Sequence, residues 1–155
     1  MEYEMKINYN SFFVKKLHKN ATIPSKAFES DAGFDLYACL DEQVDILPGE
    51  CKKISTGIAI ELPFGAFGAI FARSGMATNR GLRPANAVGV VDSSYRGEYI
   101  VALRNDSKEI QTICDGDRIA QLVILPFVCG KMIEVNDDLN KTERGTGGFG
   151  STGTK

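Results

Sequence analysis

Along the chain, short runs of β-branched, aromatic and aliphatic residues alternate with clusters of Gly, Pro, Asn and Asp. That spacing predicts strands rather than helices, because each run is too short for a stable helix and is bounded by turn chemistry. The strands are expected at 12–17, 34–38, 52–55, 57–62, 68–71, 88–91, 99–103, 110–113 and 118–125. Pro48-Gly49, Pro63-Phe64-Gly65, Asn105-Asp106-Ser107 and Asp115-Gly116-Asp117 separate them. In these turns Gly supplies positive φ, Pro presets φ, and Asn or Asp caps the bend. The run 118–125, RIAQLVIL, is almost continuously apolar, which predicts a strand covered on both faces. Helix signals are confined to 74–79, stopped by Gly81. The pattern is all-β with little helix, a barrel or two-sheet jelly roll.

Two stretches carry more than strand signals. The first, 89–97 (GVVDSSYRG), is expected to be the tip of a β-hairpin whose arms are 88–91 and 98–103. Asp92 then sits at a strand end, where it fits a turn residue bonded to its own backbone or a catalytic carboxylate. The stretch alone does not choose. The second is 144–153, RGTGGFGSTG, which holds five of the sixteen glycines and has no packing surface for a strand or helix. Gly145, Gly147 and Gly150 satisfy G-x-G-x-x-G, but the dinucleotide fingerprint needs a following helix, and the sequence given stops five residues later. No Lys follows as a Walker loop requires. Arg144 and Phe149 have no purpose in a bare flexible linker. The stretch suits a flexible tail that orders over a bound nucleotide.

Composition narrows the chemistry. The 155 residues fit one domain. A net charge of -2 leaves no broad basic face, so no nucleic-acid partner is expected. No apolar run approaches the ~20 residues of a membrane span, and the charged first sixteen residues do not form a secretory signal. An intracellular, cytoplasmic protein without a membrane partner is expected. Cys39, Cys51, Cys114 and Cys129 lie far apart with no C-x-x-C pair, so they are expected to be reduced and structural. His18 is the one histidine and is expected on the surface, which leaves acid–base chemistry to carboxylates. Any metal should be a hard, oxygen-bound cation such as Mg2+.

Five separated motifs, in order, resemble those of the trimeric dUTPases (deoxyuridine 5'-triphosphate nucleotidohydrolases). They are AGFDLYA (32–38), ARSGMA (72–77), GVVDSSYRGE (89–98), GDRIAQL (116–122) and RGTGGFGSTG (144–153). The resemblance implies a jelly-roll body, 1–135, and a C-terminal tail, 136–155, that closes over an active site of a homotrimer. It implies hydrolysis of dUTP to dUMP and pyrophosphate by water attack on the α-phosphorus, with Mg2+ held mainly by the phosphates. Asp92 becomes the residue that orients and deprotonates the water, and Gln121 its neighbour at the α-phosphate. Arg73, Ser74 and Gly75 become phosphate ligands. Tyr95 packs on the deoxyribose and excludes a 2′-hydroxyl. Asn86 and the backbone of Val90, Val91 and Ile100 become the uracil contacts, since the acceptor–donor–acceptor edge of uracil suits strand backbone. Cytosine would leave buried groups unpaired there. From the tail, Arg144, Gly150, Ser151 and Thr152 would meet the outer phosphates and Phe149 would stack on the base. Asp35 would act on the metal from the second layer, through water, while Asp117 and Arg118 look like a turn and a structural contact.

Two positions depart from the family pattern: Ala72 where many members have proline, and Ser94 where many have a second aspartate. Two rival readings remain, an enzyme of the dCTP deaminase branch of the same fold and a dUTP-binding regulator without turnover.

Overall fold

A computed structural model of the chain describes residues 11–148. Eleven strands and one short helix follow in the order β1 (Phe13–Lys16), β2 (Phe34–Tyr37), β3 (Val44–Ile46), β4 (Cys51–Ser55), β5 (Ile58–Glu61), β6 (Ala66–Phe71), α1 (Ser74–Arg80), β7 (Leu82–Pro84), β8 (Gly89–Val91), β9 (Ile100–Asn105), β10 (Gln111–Ile113) and β11 (Arg118–Pro126). Every strand pair is antiparallel. A four-stranded sheet runs β2-β11-β6-β8, a three-stranded sheet β4-β9-β7, and two pairs, β1-β5 and β10-β3, complete the jelly roll.

Between the sheets, Leu36, Ile46, Ile54, Ile58, Leu82, Leu103, Ile113, Ile119 and Leu122 are essentially fully buried. They come from nearly every strand, so a single core ties the layers together. Asn105, also buried, is a polar member of this core with all its needs met. Its Nδ2 donates to the carbonyls of Ile46 (2.8 Å) and Glu109 (2.7 Å), and its Oδ1 accepts from the Ser107 amide and hydroxyl. One side chain thus pins the end of β9 to β3 and shapes the following turn.

Every expected strand is present, and β3 and β7 are additional. Val-Asp-Ile in β3 is short, with an acid at its centre and Asp41-Glu42 just before it, and among the described strands it pairs with β10 alone. Leu-Arg-Pro in β7 ends on a proline, which argues against a strand except at an edge; β7 is the edge of its sheet. The expected two-faced cover of β11 holds only for its middle, since Arg118, Leu125 and Pro126 are exposed. Cys39 is buried, whereas Cys51, Cys114 and Cys129 are exposed thiols, which corrects the expectation that all four are structural.

The larger correction concerns 88–103, which is not a ladder of two paired arms. β8 pairs with β6, with Val91 opposite Gly68 and Gly89 opposite Ile70. β9 pairs with β4 and β7. The arms therefore belong to different sheets, and the segment between them crosses from one to the other. Nearness in sequence suggested a hairpin, but burial of Val101 and Leu103 in the core is satisfied by a different pairing.

After Pro126 no described residue is in a strand or helix. Phe127 is tied back by its amide to the Gly65 carbonyl (3.0 Å) and by an edge contact with Phe67. Beyond it, Val128, Met132, Ile133 and Leu139 are at least four-fifths exposed. No helix among the described residues is long and apolar enough to cross a membrane.

Candidate active site

The site residues fall around two cavities. The first, about 680 Å3, is lined among others by Gly33, Asp35, Arg73, Ser74, Gly75, Arg118 and Gln121, and also by Asp31 and Arg80. Strand register builds it, because Gln121 on β11 stands opposite Asp35 on β2 and Phe71 on β6. The β6 chain then turns into α1, carrying Arg73 as the extended residue before the helix.

Asp35 organises the cationic wall. Its Oδ1 accepts from Arg73 Nε at 2.8 Å and its Oδ2 from Arg118 Nη1 at 3.2 Å. Arg73 Nη1 also donates to the Arg118 carbonyl at 3.3 Å. Using Nε on Asp35 fixes the plane of the guanidinium while leaving further donors for an anion. Arg118 is thus a member of this wall, not only a structural contact. Its signal in the sequence was weak because it follows a turn, and its partner Asp35 is distant in the chain.

Gln121 Nε2 donates to the Ala72 carbonyl at 2.9 Å, which fixes the amide and leaves its oxygen toward Gly33. A Cβ at Gly33 would lie 2.6 Å from that oxygen, so glycine in the first motif makes room for the glutamine of the fourth. The first turn of α1 contains no acidic residue and no side-chain cap, so nothing there opposes a bound anion. A Cβ at Gly75 would meet nothing within 4 Å and would simply occupy cavity space.

The second cavity, about 240 Å3, is lined by Ile70, Asn86, Gly89, Val90, Val91, Asp92, Tyr95, Glu98, Tyr99 and Ile100. It lies in the gap between β8 and the start of β9. β8 is the edge of its sheet, and bonding along this side of β9 ends at Ala102, whose carbonyl accepts from the Ala85 amide at 2.8 Å. Backbone donors and acceptors of both strands therefore face the gap, which the hairpin expectation would have used up in a ladder. Asn86 sits on a turn where Ala87 adopts a left-handed φ of 61°, and its Nδ2 lies 3.6 Å from where a Cβ on Gly89 would be.

Asp92 is exposed at the mouth, and its carbonyl accepts from the Tyr95 amide at 3.0 Å. Tyr95 folds back so that its hydroxyl donates to the Glu98 carbonyl at 3.1 Å, passing where a Cβ on Gly97 would stand. Its ring is 6.3 Å from that of Tyr99, and it remains nearly half exposed, a flat surface on the cavity wall. The Tyr99 hydroxyl is buried with no hydrogen-bond partner among the described residues, and burial pushes its pKa up to about 12.

Arg144 is exposed and bonds locally, Nε to the Gly147 carbonyl at 2.9 Å. Phe149, Gly150, Ser151 and Thr152 lie outside the described residues. His18 is exposed, as expected, with Nδ1 accepting from the Asn20 amide and 3.4 Å from Cys39 Sγ. Burial, helped by the charges of Asp115, Glu98 and Asp41, pushes the Cys39 thiol pKa up, so this pair does not make a thiolate nucleophile.

A jelly roll with an arginine-walled, anion-ready cavity and a separate cleft of open backbone beside an aromatic ring has the parts of a nucleotide-handling enzyme. The chain belongs to the dUTPase family, whose model matches residues 19–153. It is 51% identical over 142 residues to the deoxyuridine 5'-triphosphate nucleotidohydrolase of Desulfitobacterium hafniense, covering 91% of this chain and 93% of that protein. The protein of the same name from Nautilia profundicola is 49% identical over 140 residues, covering 90% and 96%. Among solved structures, a variant dUTPase of Staphylococcus bacteriophage 80alpha with dUpNHpp superposes with a TM-score of 0.83 at 30% identity, covering 94% of this chain and 99% of that one. A variant dUTPase from phage phi11 of S. aureus, described as coordinating a structural Mg(II) ion, has a TM-score of 0.73 at 27% identity, covering 83% and 98%.

Proposed function

We infer that the protein hydrolyses dUTP to dUMP and pyrophosphate, by attack of water on the α-phosphorus, and that it works as a homotrimer. The observation that carries the substrate reading is the open cleft between β8 and β9, whose strand edges, not bonded to each other among the described residues, suit the acceptor–donor–acceptor edge of uracil. Asn86 and the backbone of Val90, Val91 and Ile100 hold the base, and Tyr95 lies flat on the deoxyribose. A 2′-hydroxyl pressed against the ring would be both crowded and unpaired, a penalty of about 1–3 kcal/mol against UTP. Asp92, at the mouth, orients the attacking water and takes its proton, help of the kind worth ~10²–10⁴ in rate.

The phosphates go to the first cavity, with Arg73 held by Asp35 as the main guanidinium, Ser74 and Gly75 at the helix start, and Gln121 beside the α-phosphate. Residues assigned to one substrate line two cavities that share no lining residue. An assembly in which one copy supplies the nucleoside cleft and another the phosphate wall resolves this separation. Exposed Val128, Met132, Ile133 and Leu139 supply apolar surface for such an assembly. The tail, 136–155, is taken as the closing segment, with Arg144, Gly150, Ser151 and Thr152 on the outer phosphates and Phe149 on the base.

Among the described residues no group of three His, Cys, Asp or Glu side chains is placed to hold a metal ion, and Asp35 already serves two arginines. That donor set fits Mg2+ carried by phosphate oxygens and water, with Asp35 no closer than an outer contact. When bound, the ion neutralises phosphate charge.

Incubation with dUTP, dCTP, dTTP or UTP and Mg2+, followed by pyrophosphate and ammonia assays, tests the reaction. Pyrophosphate from dUTP alone is expected, and ammonia from dCTP or binding without turnover would overturn it. For the assembly, sedimentation should give three times the 16.9 kDa of one chain.

A further inference from the structure

Glu98 lines the nucleoside cleft and also a separate cavity on its far side, with His18, Cys39, Ser55 and Gly57. One carboxylate oxygen, Oε1, accepts from the Ser55 hydroxyl and from the Gly57 amide, the latter at 2.7 Å. The next residue is held the same way, because Thr56 Oγ1 donates to the Tyr99 carbonyl and the Tyr99 amide donates to the Ile58 carbonyl at 2.9 Å. Four consecutive residues, from the last of β4 to the first of β5, therefore grip residues 98 and 99. Gly57 is fitted to this turn: its φ is 65°, and a Cβ would lie 2.9 Å from both Cys39 Sγ and the Ala21 Cβ. The grip reaches the cleft through the Glu98 carbonyl, which accepts the Tyr95 hydroxyl.

We propose that Glu98 is a positioning residue for sugar selection, its carboxylate clamped on the β4–β5 turn so that its own carbonyl holds the Tyr95 ring at a fixed height over the cleft. This rests on the reading of Tyr95 as the deoxyribose platform. Neither Ser55 nor Gly57 lines the nucleoside cleft, so the clamp acts at one remove. Both donors converge on a single atom, so an amide oxygen at the same place can take over as acceptor. Releasing the clamp lets the ring tilt, which loosens substrate binding and opens room for a 2′-hydroxyl.

The test compares Glu98→Ala and Glu98→Gln with the wild type. For Glu98→Ala, kcat/KM on dUTP should fall on the order of tenfold, mostly through KM, and the preference for dUTP over UTP should fall several-fold. Glu98→Gln keeps an acceptor oxygen at the same place and should restore most of both. Amide hydrogen exchange of 92–100 in the ligand-free protein should quicken in the Ala variant and return toward wild type in the Gln variant. A loss of melting temperature without change in sugar preference, a Gln variant as impaired as Ala, or unchanged exchange would each overturn the clamp. A wild type that does not cleave dUTP would remove the proposed reaction instead, and hydrogen exchange would still decide the clamp.

Discussion

Asp92 is exposed, and its value lies in where the turn puts it: Asp92→Asn should keep the fold and bind dUTP while turnover drops by ~10²–10⁴. Single-turnover assays beside equilibrium binding check it. Tyr99 offers a sharper stability test. Its hydroxyl is buried and unpartnered among the described residues, so Tyr99→Phe should stabilise the protein at neutral pH by about 1 kcal/mol. The folded protein holds that proton more tightly than the unfolded chain, with a pKa of about 12. The stability this represents is complete below about pH 10 and is lost as the pH rises toward 12, on the order of 2–3 kcal/mol. Tyr99→Phe should remove that alkaline loss, measured by urea unfolding at pH 7 and pH 11. Asp92, Tyr95, Arg73 and Gln121 stand inside compact motifs and could be picked from the sequence. Glu98 and Arg118 could not be assigned that way, since the partners that give them meaning, Ser55 and Asp35, lie 43 and 83 positions away.

At the scale of elements, local signals located nearly every strand, because alternation and turn residues are written in adjacent positions. They did not say which strand lies beside which. The arms at 88–91 and 98–103 look like partners in sequence, yet the core takes Val101 and Leu103 into the sheet of β4 and leaves β8 with β6. β7 carries no strand signal because Pro84 argues against one, and β3 carries none because three residues with an acid at the centre hold little pattern. Asn105 links these elements, its amide bonded to β3 and its oxygen to the Ser107 turn. Asn105→Ala leaves buried carbonyl and amide groups unpaired and should cost about 2–4 kcal/mol, read from denaturant midpoints.

At the scale of the molecule, the body is held by a core to which no described residue after Phe127 contributes a buried side chain. Deleting 144–155 should therefore leave the melting temperature within a few degrees while abolishing most turnover, and a collapsed melting curve would contradict the division into body and tail. The exposure of Val128, Met132, Ile133 and Leu139 has a further consequence. If copies cover it for one another, part of the folding free energy is released only on association, and mass action then governs stability. The unfolding midpoint should rise with protein concentration, and a dilute sample should lose its fold at a denaturant level that a concentrated one withstands.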